Sequence, residues 1–305
     1  MSESVIRVDG LRKSFGGPPV LDSISFEVRP GETFALLGRN GAGKTTTIRI
    51  LLGLLKPDRG SVEVAGSDPQ VHPLAVRSRV GYLAEDQAMY EWMTPVELCR
   101  FLQPFYPTWD AGLTDKLLDR FELPRQTRIE HLSKGQTVKL GLAVALAYRP
   151  EIAILDDPAL GLDPIARKEF NRDLIDWLQA EGRTVIYSSH LLDEVETVAD
   201  RVAILDAGRI VRLEQTDVLR ERVQRIVLPI ETARLLPRPD GLLDLRQHAD
   251  HVEVVVDGID AFLRDLAQVG IEGEPAELTL DEIFAAFVIG RPKGWPEATS
   301  PVIAR

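Results

Sequence analysis

Residues Gly38-Arg39-Asn40-Gly41-Ala42-Gly43-Lys44-Thr45 set four residues between Gly38 and Gly43 and follow the second glycine directly with Lys-Thr. That spacing is the pattern of a phosphate-binding loop. Glycines let the backbone curl until consecutive N–H groups point inward, and a helix opening at Lys44 adds the positive end of its dipole to the nest. Gly38, Asn40, Gly41, Ala42 and Gly43 line that nest. Lys44 is placed to reach the β- and γ-phosphates of a nucleoside triphosphate, the Thr45 hydroxyl to sit on Mg²⁺, and Thr46 to touch the α-phosphate. From average composition these four fixed positions arise by chance on the order of once in a hundred chains of this length.

A second chemical stretch is Asp156-Asp157-Pro158, which follows the apolar run Ile152-Ala153-Ile154-Leu155. A carboxylate at the end of a strand is what a P-loop enzyme needs to hold Mg²⁺, and Asp156 stands there. Asp157, one residue on, faces the γ-phosphate side as a general base or water-orienting group. Phe15 lies at the end of the first apolar segment, where it serves either as core filler or as a flat platform for a base. His248 and His251 have no third ligand at metal-site spacing and are expected in a solvated loop.

These groups need rigid elements to hold them. Thr33 to Leu37 is short, apolar and bounded by Gly31 and Gly38, as a buried strand is, and Thr45 to Leu55 carries Ile48, Leu51, Leu52 and Leu55 at helical spacing. Strand, glycine turn and helix occur in the required order. Val5 to Val8 and Ser23 to Val28 alternate apolar and polar around Gly16-Gly17-Pro18-Pro19 and predict an antiparallel layer. Ser61 to Ala65 and Val80 to Leu83 are further strands, as are Thr184 to Tyr187 and the hairpin around Asp206-Ala207-Gly208. Met93 to Leu123 is helical in pattern and broken by Pro95, Pro104, Pro107 and Pro124. It forms the proline-punctuated part, ending near Arg128, of a helical subdomain over about residues 86–150. Tyr106 and Trp109 are expected to pack inside it. Thr137 to Tyr148 is apolar nearly all round, a buried helix with Ser133 as its N-cap, and Asp163-Pro164 opens another helix. Leu191 to Val198 is a short helix with an acidic outer face.

Beyond Thr216 the texture changes: Ile226 to Ile230 and Val252 to Val256 read as strands, Ile259 to Val269 and Leu280 to Val288 as amphipathic helices. The expected organisation is a main α/β domain over residues 1–215, a small α+β domain over 216–290 with a regulatory or dimer-stabilising role, and a disordered tail over 291–305. The 36 basic residues against 47 acidic ones leave a net charge of −11, which argues against non-specific binding to nucleic acid or anionic lipid. The single cysteine, Cys99, excludes an intrachain disulfide and fits a reducing compartment. Met1 to Asp9 has no apolar signal core, and the longest apolar run, Leu140 to Tyr148, is about half of a bilayer span. Any membrane role is therefore expected to come through a partner.

In this order, Gly38 to Thr45, Leu132-Ser133-Lys134-Gly135-Gln136, the strand ending in Asp156-Asp157-Pro158, Gly161-Leu162-Asp163-Pro164 and His190 resemble the ATP-binding cassette (ABC) ATPases. Leu-Ser-x-Gly-Gln is that superfamily's signature, and the resemblance runs over roughly residues 3–215. It implies a P-loop NTPase fold with an antiparallel β layer and an inserted helical subdomain, with ATP and Mg²⁺ as cofactors. It also implies adenine stacking on Phe15 and a γ-phosphate contact from His190. Ser133, Gly135 and Gln136 then form a second anion site that serves the nucleotide of another cassette in a head-to-tail dimer, across which Asp163 communicates.

Three positions depart from the family pattern. Asp157 stands where glutamate is usual, and one methylene less removes roughly 1.5 Å of reach, so slow hydrolysis is expected. The glutamine that senses Mg²⁺ and the attacking water falls near Glu85, with Gln87 two residues on as the alternative. Lys134 replaces the signature's first glycine. The segments Phe105 to Asp110, Ser188 to Val195 and Leu280 to Phe284 are similar to those of bacterial export-type subunits. The expected role is the energy-supplying subunit of an exporter, cytoplasmic and held to the inner face of the membrane by a separate transmembrane permease. The competing class is a non-transport ABC ATPase acting on nucleic acid or the ribosome, and a P-loop kinase is a distant third.

Overall fold

The computed structural model describes residues 4–163, 165–167, 169, 170, 174, 182–189 and 192–296. Within them the chain forms two compact units, one of residues 1–190 and 197–213, the other of residues 191–196 and 214–305.

The first unit is built on a parallel sheet. Its strands are β3 (Thr33–Gly38), β5 (Val80–Leu83), β6 (Ile152–Asp156), β7 (Thr184–Ser189), β8 (Arg201–Asp206) and β9 (Arg209–Gln215), lying side by side in the order β5-β6-β7-β3-β8-β9. Every residue of β3, β6 and β7 is buried, as strands covered on both faces must be, and this is why they read as continuous apolar runs. β5, β6, β7, β3 and β8 pair in parallel. Their carboxyl ends, and whatever polar residues follow them, therefore gather along one edge.

A smaller antiparallel sheet joins β1 (Ile6–Ser14), β2 (Pro19–Val28) and β4 (Arg59–Val64) in the order β2-β1-β4. Its alternating side chains supply Val8, Leu11, Ile24 and Phe26 to the core shared with β3 and helix α1 (Lys44–Leu51). Phe26 stacks on Phe34 of β3 with centroids 5.2 Å apart. Helix α1 is shorter than its apolar spacing predicts. Leu52 caps it and Gly53 follows at φ 66°, a left-handed position that ends helices cheaply only in glycine.

Between β5 and β6 lie α3 (Pro95–Leu102), α4 (Ala111–Arg120) and α5 (Lys134–Leu146), with α2 (Pro73–Arg77) preceding β5. Pro95 opens α3 at its first position behind the Thr94 capping box, so it starts that helix and does not break it. Asp110 caps α4 by accepting from the Leu113 N–H at 2.8 Å. Tyr106 stacks on Tyr148 at 4.0 Å, and the buried Tyr148 hydroxyl donates to the Val80 carbonyl at 2.7 Å. That arrangement pins α5 to β5 and gives Tyr106 the packing role expected of it. The expected helix after Asp163 falls largely on undescribed residues, Pro164 and Leu178 among them.

The second unit holds a four-stranded antiparallel sheet in the order β11-β12-β10-β13, from β10 (Val223–Pro229), β11 (Leu242–Gln247), β12 (His251–Asp257) and β13 (Ala276–Glu277). The short helices α6 (Leu192–Val195), α7 (Thr216–Arg222) and α8 (Ile230–Ala233) accompany it, with the longer α9 (Ile259–Gln268) and α10 (Leu280–Ile289). β11 was not expected from sequence, and a register shift between Leu242 and Asp244 explains why its alternation is broken. Residues 291–296 are placed, unlike the disordered tail expected of them. The Trp295 indole meets Phe262 edge-on at 6.2 Å and donates to the Leu236 carbonyl at 3.1 Å. Residues 297–305 lie outside the described residues. Among the described residues no helix is long and apolar enough to cross a membrane.

Candidate functional site

The site forms where β3, β5, β6 and β7 end. Strand register sets it: Asp156 pairs with Ser188 on β7, and Leu83 pairs with Leu155 on β6. The glycine loop after β3, Asp156 and Asp157 after β6, and Glu85 after β5 therefore project from one edge.

Gly43 is the N-cap of α1 at φ 114°, and a Cβ there would stand 2.5 Å from Leu21 Cδ2 and 3.0 Å from the Val20 carbonyl. Only glycine fits that turn. It leaves the first N–H groups of α1 without side-chain caps, open to a ligand. Lys44 is 5% exposed; its Nζ donates to the Gly38 carbonyl at 2.9 Å and stands 3.3 Å from Asp157 Oδ2. The Thr47 hydroxyl donates to the Gly43 carbonyl at 2.9 Å and steadies the loop from below. Thr45 and Thr46, in the first turn of α1, are half-buried, while Asn40 and Gly41 are exposed at the loop's crest and Ala42 is buried beneath it.

Asp156 is fully buried. Ser188 Oγ donates to its Oδ1 at 2.8 Å, and its Oδ2 has no hydrogen-bond partner among the described residues. Burial pushes its carboxyl above the ordinary carboxylate range, with hydrogen bonds from Ser188 and Thr45 pulling the other way. Asp157 sits at φ 44°, its N–H bonded to the Ser188 carbonyl at 2.9 Å. A buried carboxylate oxygen without a donor, near a threonine hydroxyl, is a hard-oxygen donor set of the kind Mg²⁺ takes. Thr45 and Asp156 are thus fitted to hold that ion.

Glu85 is exposed, and its carboxyl is raised by partial burial and then by the negative charges of Asp157 and Asp156. Gln87 donates to the Ala84 carbonyl at 3.3 Å and packs close to Gly141 of α5. Phe15 is 63% exposed with Lys13 Nζ 5.4 Å from its ring centre, so the core-filler alternative is overturned and an accessible flat face stands in its place. His190 lies outside the described residues.

Ser133 caps α5 as foreseen. Its Oγ accepts from the Gln136 N–H at 3.2 Å while Gln136 Oε1 accepts from the Ser133 N–H at 2.9 Å. Gly135 neighbours Leu162 and Ala166, and Asp163 Oδ1 accepts from the N–H groups of Ile165 and Ala166 at 3.0 and 3.1 Å. Lys134 Nζ lies against Gly161. The structure brings Lys44, Asp156, Asp157 and Glu85 together, and Ser133, Gly135 and Gln136 form a separate group.

Sequence reasoning missed Ser188 as the partner of Asp156, because only the register of two parallel strands sets them opposite each other. It also missed a run of exposed aromatic rings in the helical block. Tyr90 meets Trp92 at 6.1 Å and Phe101 at 5.2 Å, and Phe101 meets Phe105 at 5.7 Å.

The family model described as ABC transporter matches residues 21–160. The daunorubicin resistance ATP-binding protein of Streptomyces coeruleorubidus is 34% identical over 93% of this chain and 96% of its own length. The Nod factor export ATP-binding protein I of Paraburkholderia xenovorans is 36% identical over 68% of this chain and 70% of its own. A solved ATP-binding subunit of an ABC transporter superposes with a TM-score of 0.65 at 30% identity, covering 72% of this chain and 92% of that one.

The raised carboxyl of Asp156 fixes the sign of a stability change. A group protonated more readily folded than unfolded favours the folded state at low pH, and that contribution is lost as pH rises through its folded value. Without nucleotide or Mg²⁺, Asp156→Asn should therefore raise the thermal midpoint at neutral pH by a few degrees, and the gain should shrink on acidification. Calorimetry in EDTA across that range checks this; an Asn variant less stable at neutral pH would contradict it.

Proposed function

The chain belongs to the ABC transporter family of ATP-binding proteins, and from that membership we propose that it is the energy-supplying subunit of an exporter, closing as a pair of cassettes over ATP beneath a separate permease. As a member it is an ATPase. Export is supported by the relatives named for drug resistance and for Nod factor export. A net charge of −11 speaks against the nucleic-acid alternative.

The single observation that carries the mechanism is the convergence on one sheet edge of Lys44, held between the Gly38 carbonyl and Asp157, with the unpartnered buried oxygen of Asp156. A triphosphate seated on the glycine loop draws Lys44 Nζ from Asp157 to the β- and γ-phosphate oxygens and frees the Asp157 carboxylate to face the attacking water. Thr45 and Asp156 would hold Mg²⁺, which would supply neutralisation of the charge that develops on the phosphates. Asp157 orients the water and takes its proton as the water oxygen bonds to the γ-phosphorus and the bond to the bridging oxygen breaks, leaving ADP and phosphate. Glu85 lies on the same side, set to hold that water, and the exposed face of Phe15 stacks on adenine. His190 takes a γ-phosphate contact in this scheme.

Ser133 and the Gly135 N–H, at the N-terminus of α5, offer a further anion site. With Gln136 they close over the γ-phosphate held by the partner copy, so ATP joins two half-sites and its hydrolysis lets them part. The subunit works at the cytoplasmic face of the membrane. Tyr90, Trp92, Phe101 and Phe105 form a contiguous exposed aromatic surface on the helical block, of the composition that interface cores favour, and it is assigned to the permease.

With hydrolysis blocked, ATP–Mg²⁺ should double the mass seen by light scattering, alone or with the permease present; a persistent monomer in both settings would end the dimer scheme. Asp157→Glu should raise the turnover number by about tenfold, given the 10²–10⁴ span of such bases, as followed by phosphate release. An unchanged or lower rate would mean that the shorter side chain does not limit the reaction. Trp92→Ala combined with Phe105→Ala should lower recovery of the permease with the tagged subunit, and undiminished recovery would remove the aromatic surface from the interface.

A further inference from the structure

Strand β11 passes to β12 through a tight reversal at Ala249 and Asp250, across which the His248 N–H donates to the His251 carbonyl at 2.9 Å. A turn that short sets His248 and His251 opposite each other, where cross-strand neighbours on one face stand about 5 Å apart. Glu253 lies two residues beyond His251, and because side chains alternate along a strand it projects from that same face. One hairpin tip thus carries two imidazoles and a carboxylate whose ligand atoms all lie within 4.8 Å of one another. The rings stack with centroids 4.3 Å apart and planes 11° from parallel, and His248 Nε2 is 3.7 Å from Glu253 Oε1. The solvated loop expected of these histidines is a hairpin tip, and it supplies the third ligand that sequence spacing did not.

We propose that His248, His251 and Glu253 bind a first-row transition-metal ion, Zn²⁺ in the first instance, on the β11–β12 hairpin. Two imidazoles and one carboxylate are a donor set that Zn²⁺ takes with a fourth position left to water, whereas Mg²⁺ and Ca²⁺ favour oxygen alone. Ligands of a tetrahedral ion at 2.0–2.1 Å stand about 3.4 Å from one another. Side-chain torsions alone close the remaining gap, because His248 is exposed and the other two are only half-buried. Asp250 completes the arrangement: its Oδ1 is 2.7 Å from His251 Nδ1. A carboxylate there keeps the proton on Nδ1 and turns Nε2 to the ion, the outer-shell role carboxylates play behind metal-binding histidines.

The test uses the full chain without a histidine tag, stripped with EDTA and titrated with ZnCl₂ by calorimetry in excess MgCl₂, so that oxygen sites stay filled with Mg²⁺. One Zn²⁺ per chain is expected, and Co²⁺ in its place should give the visible absorption of a four-coordinate site. His248→Ala and His251→Ala should each weaken binding by about 100-fold or more, and Asp250→Asn, which leaves all three ligands, by about tenfold. Near-ultraviolet circular dichroism confirms that each variant is folded. No saturable Zn²⁺ binding by the wild type, or wild-type affinity in the His248→Ala/His251→Ala double variant, would overturn the proposal.

Discussion

A carboxylate buried at the end of a sheet strand, with one oxygen bonded and the other not, is the constraint around which the first unit is arranged. Asp156 receives Ser188 on Oδ1 and nothing on Oδ2 among the described residues. In a low-dielectric interior a charge so placed opposes folding, and the hydrogen bonds from Ser188 and Thr45 and the nearby Lys44 offset only part of that cost. The surrounding structure has to hold it by other means, and it does so with strands buried on both faces, which have no freedom to swing the carboxylate into water. Burial of that oxygen beside the Thr45 hydroxyl is the feature on which the proposed Mg²⁺ site rests.

Lys44 and Asp157 answer the same constraint from the other side. Each is at least nine-tenths buried, and they face each other at 3.3 Å. A buried pair of opposite sign tolerates exchange of one partner for another of the same charge far better than loss of a partner. In the proposed mechanism a phosphate arriving on the glycine loop is such an exchange for Lys44. In that mechanism the short Asp157 side chain also sets how far the carboxylate reaches once Lys44 has turned to the phosphates.

Much of this was legible in the residues. The glycine loop, the aspartates after β6 and the Ser133 cap each depend on neighbours within a few positions, and local spacing carries that information. Strands β3, β6 and β7 were legible because burial on both faces leaves only apolar residues. What stayed hidden depends on pairing across long stretches of chain. Ser188 meets Asp156 through the register of β6 on β7. The strand order β5-β6-β7-β3-β8-β9 is no function of chain order. Glu85 and Gln87 are two residues apart and equally polar, so local spacing does not distinguish them, and the packing of Gln87 beside Gly141 depends on a distant helix. Phe15 read from its neighbours alone as core filler and from the family resemblance as a platform, and its exposure removes the first reading.

The second unit obeys the opposite logic. Its core of Ile226, Val252, Val254, Phe262 and Leu266 is apolar, and its buried polar side chain, among the described residues, is Thr216 at the start of α7. No buried carboxylate like Asp156 stands among the described residues of that unit, and the candidate metal ligands there are exposed or half-buried side chains held in line by a hairpin. A two-residue turn between β-strands gives such support, because register and face alternation set three side chains on one face. That is why three polar ligands can converge at the β11–β12 tip without distorting the unit beneath it. The chain thus has two ways to position chemistry, buried strand ends in one unit and a surface hairpin in the other.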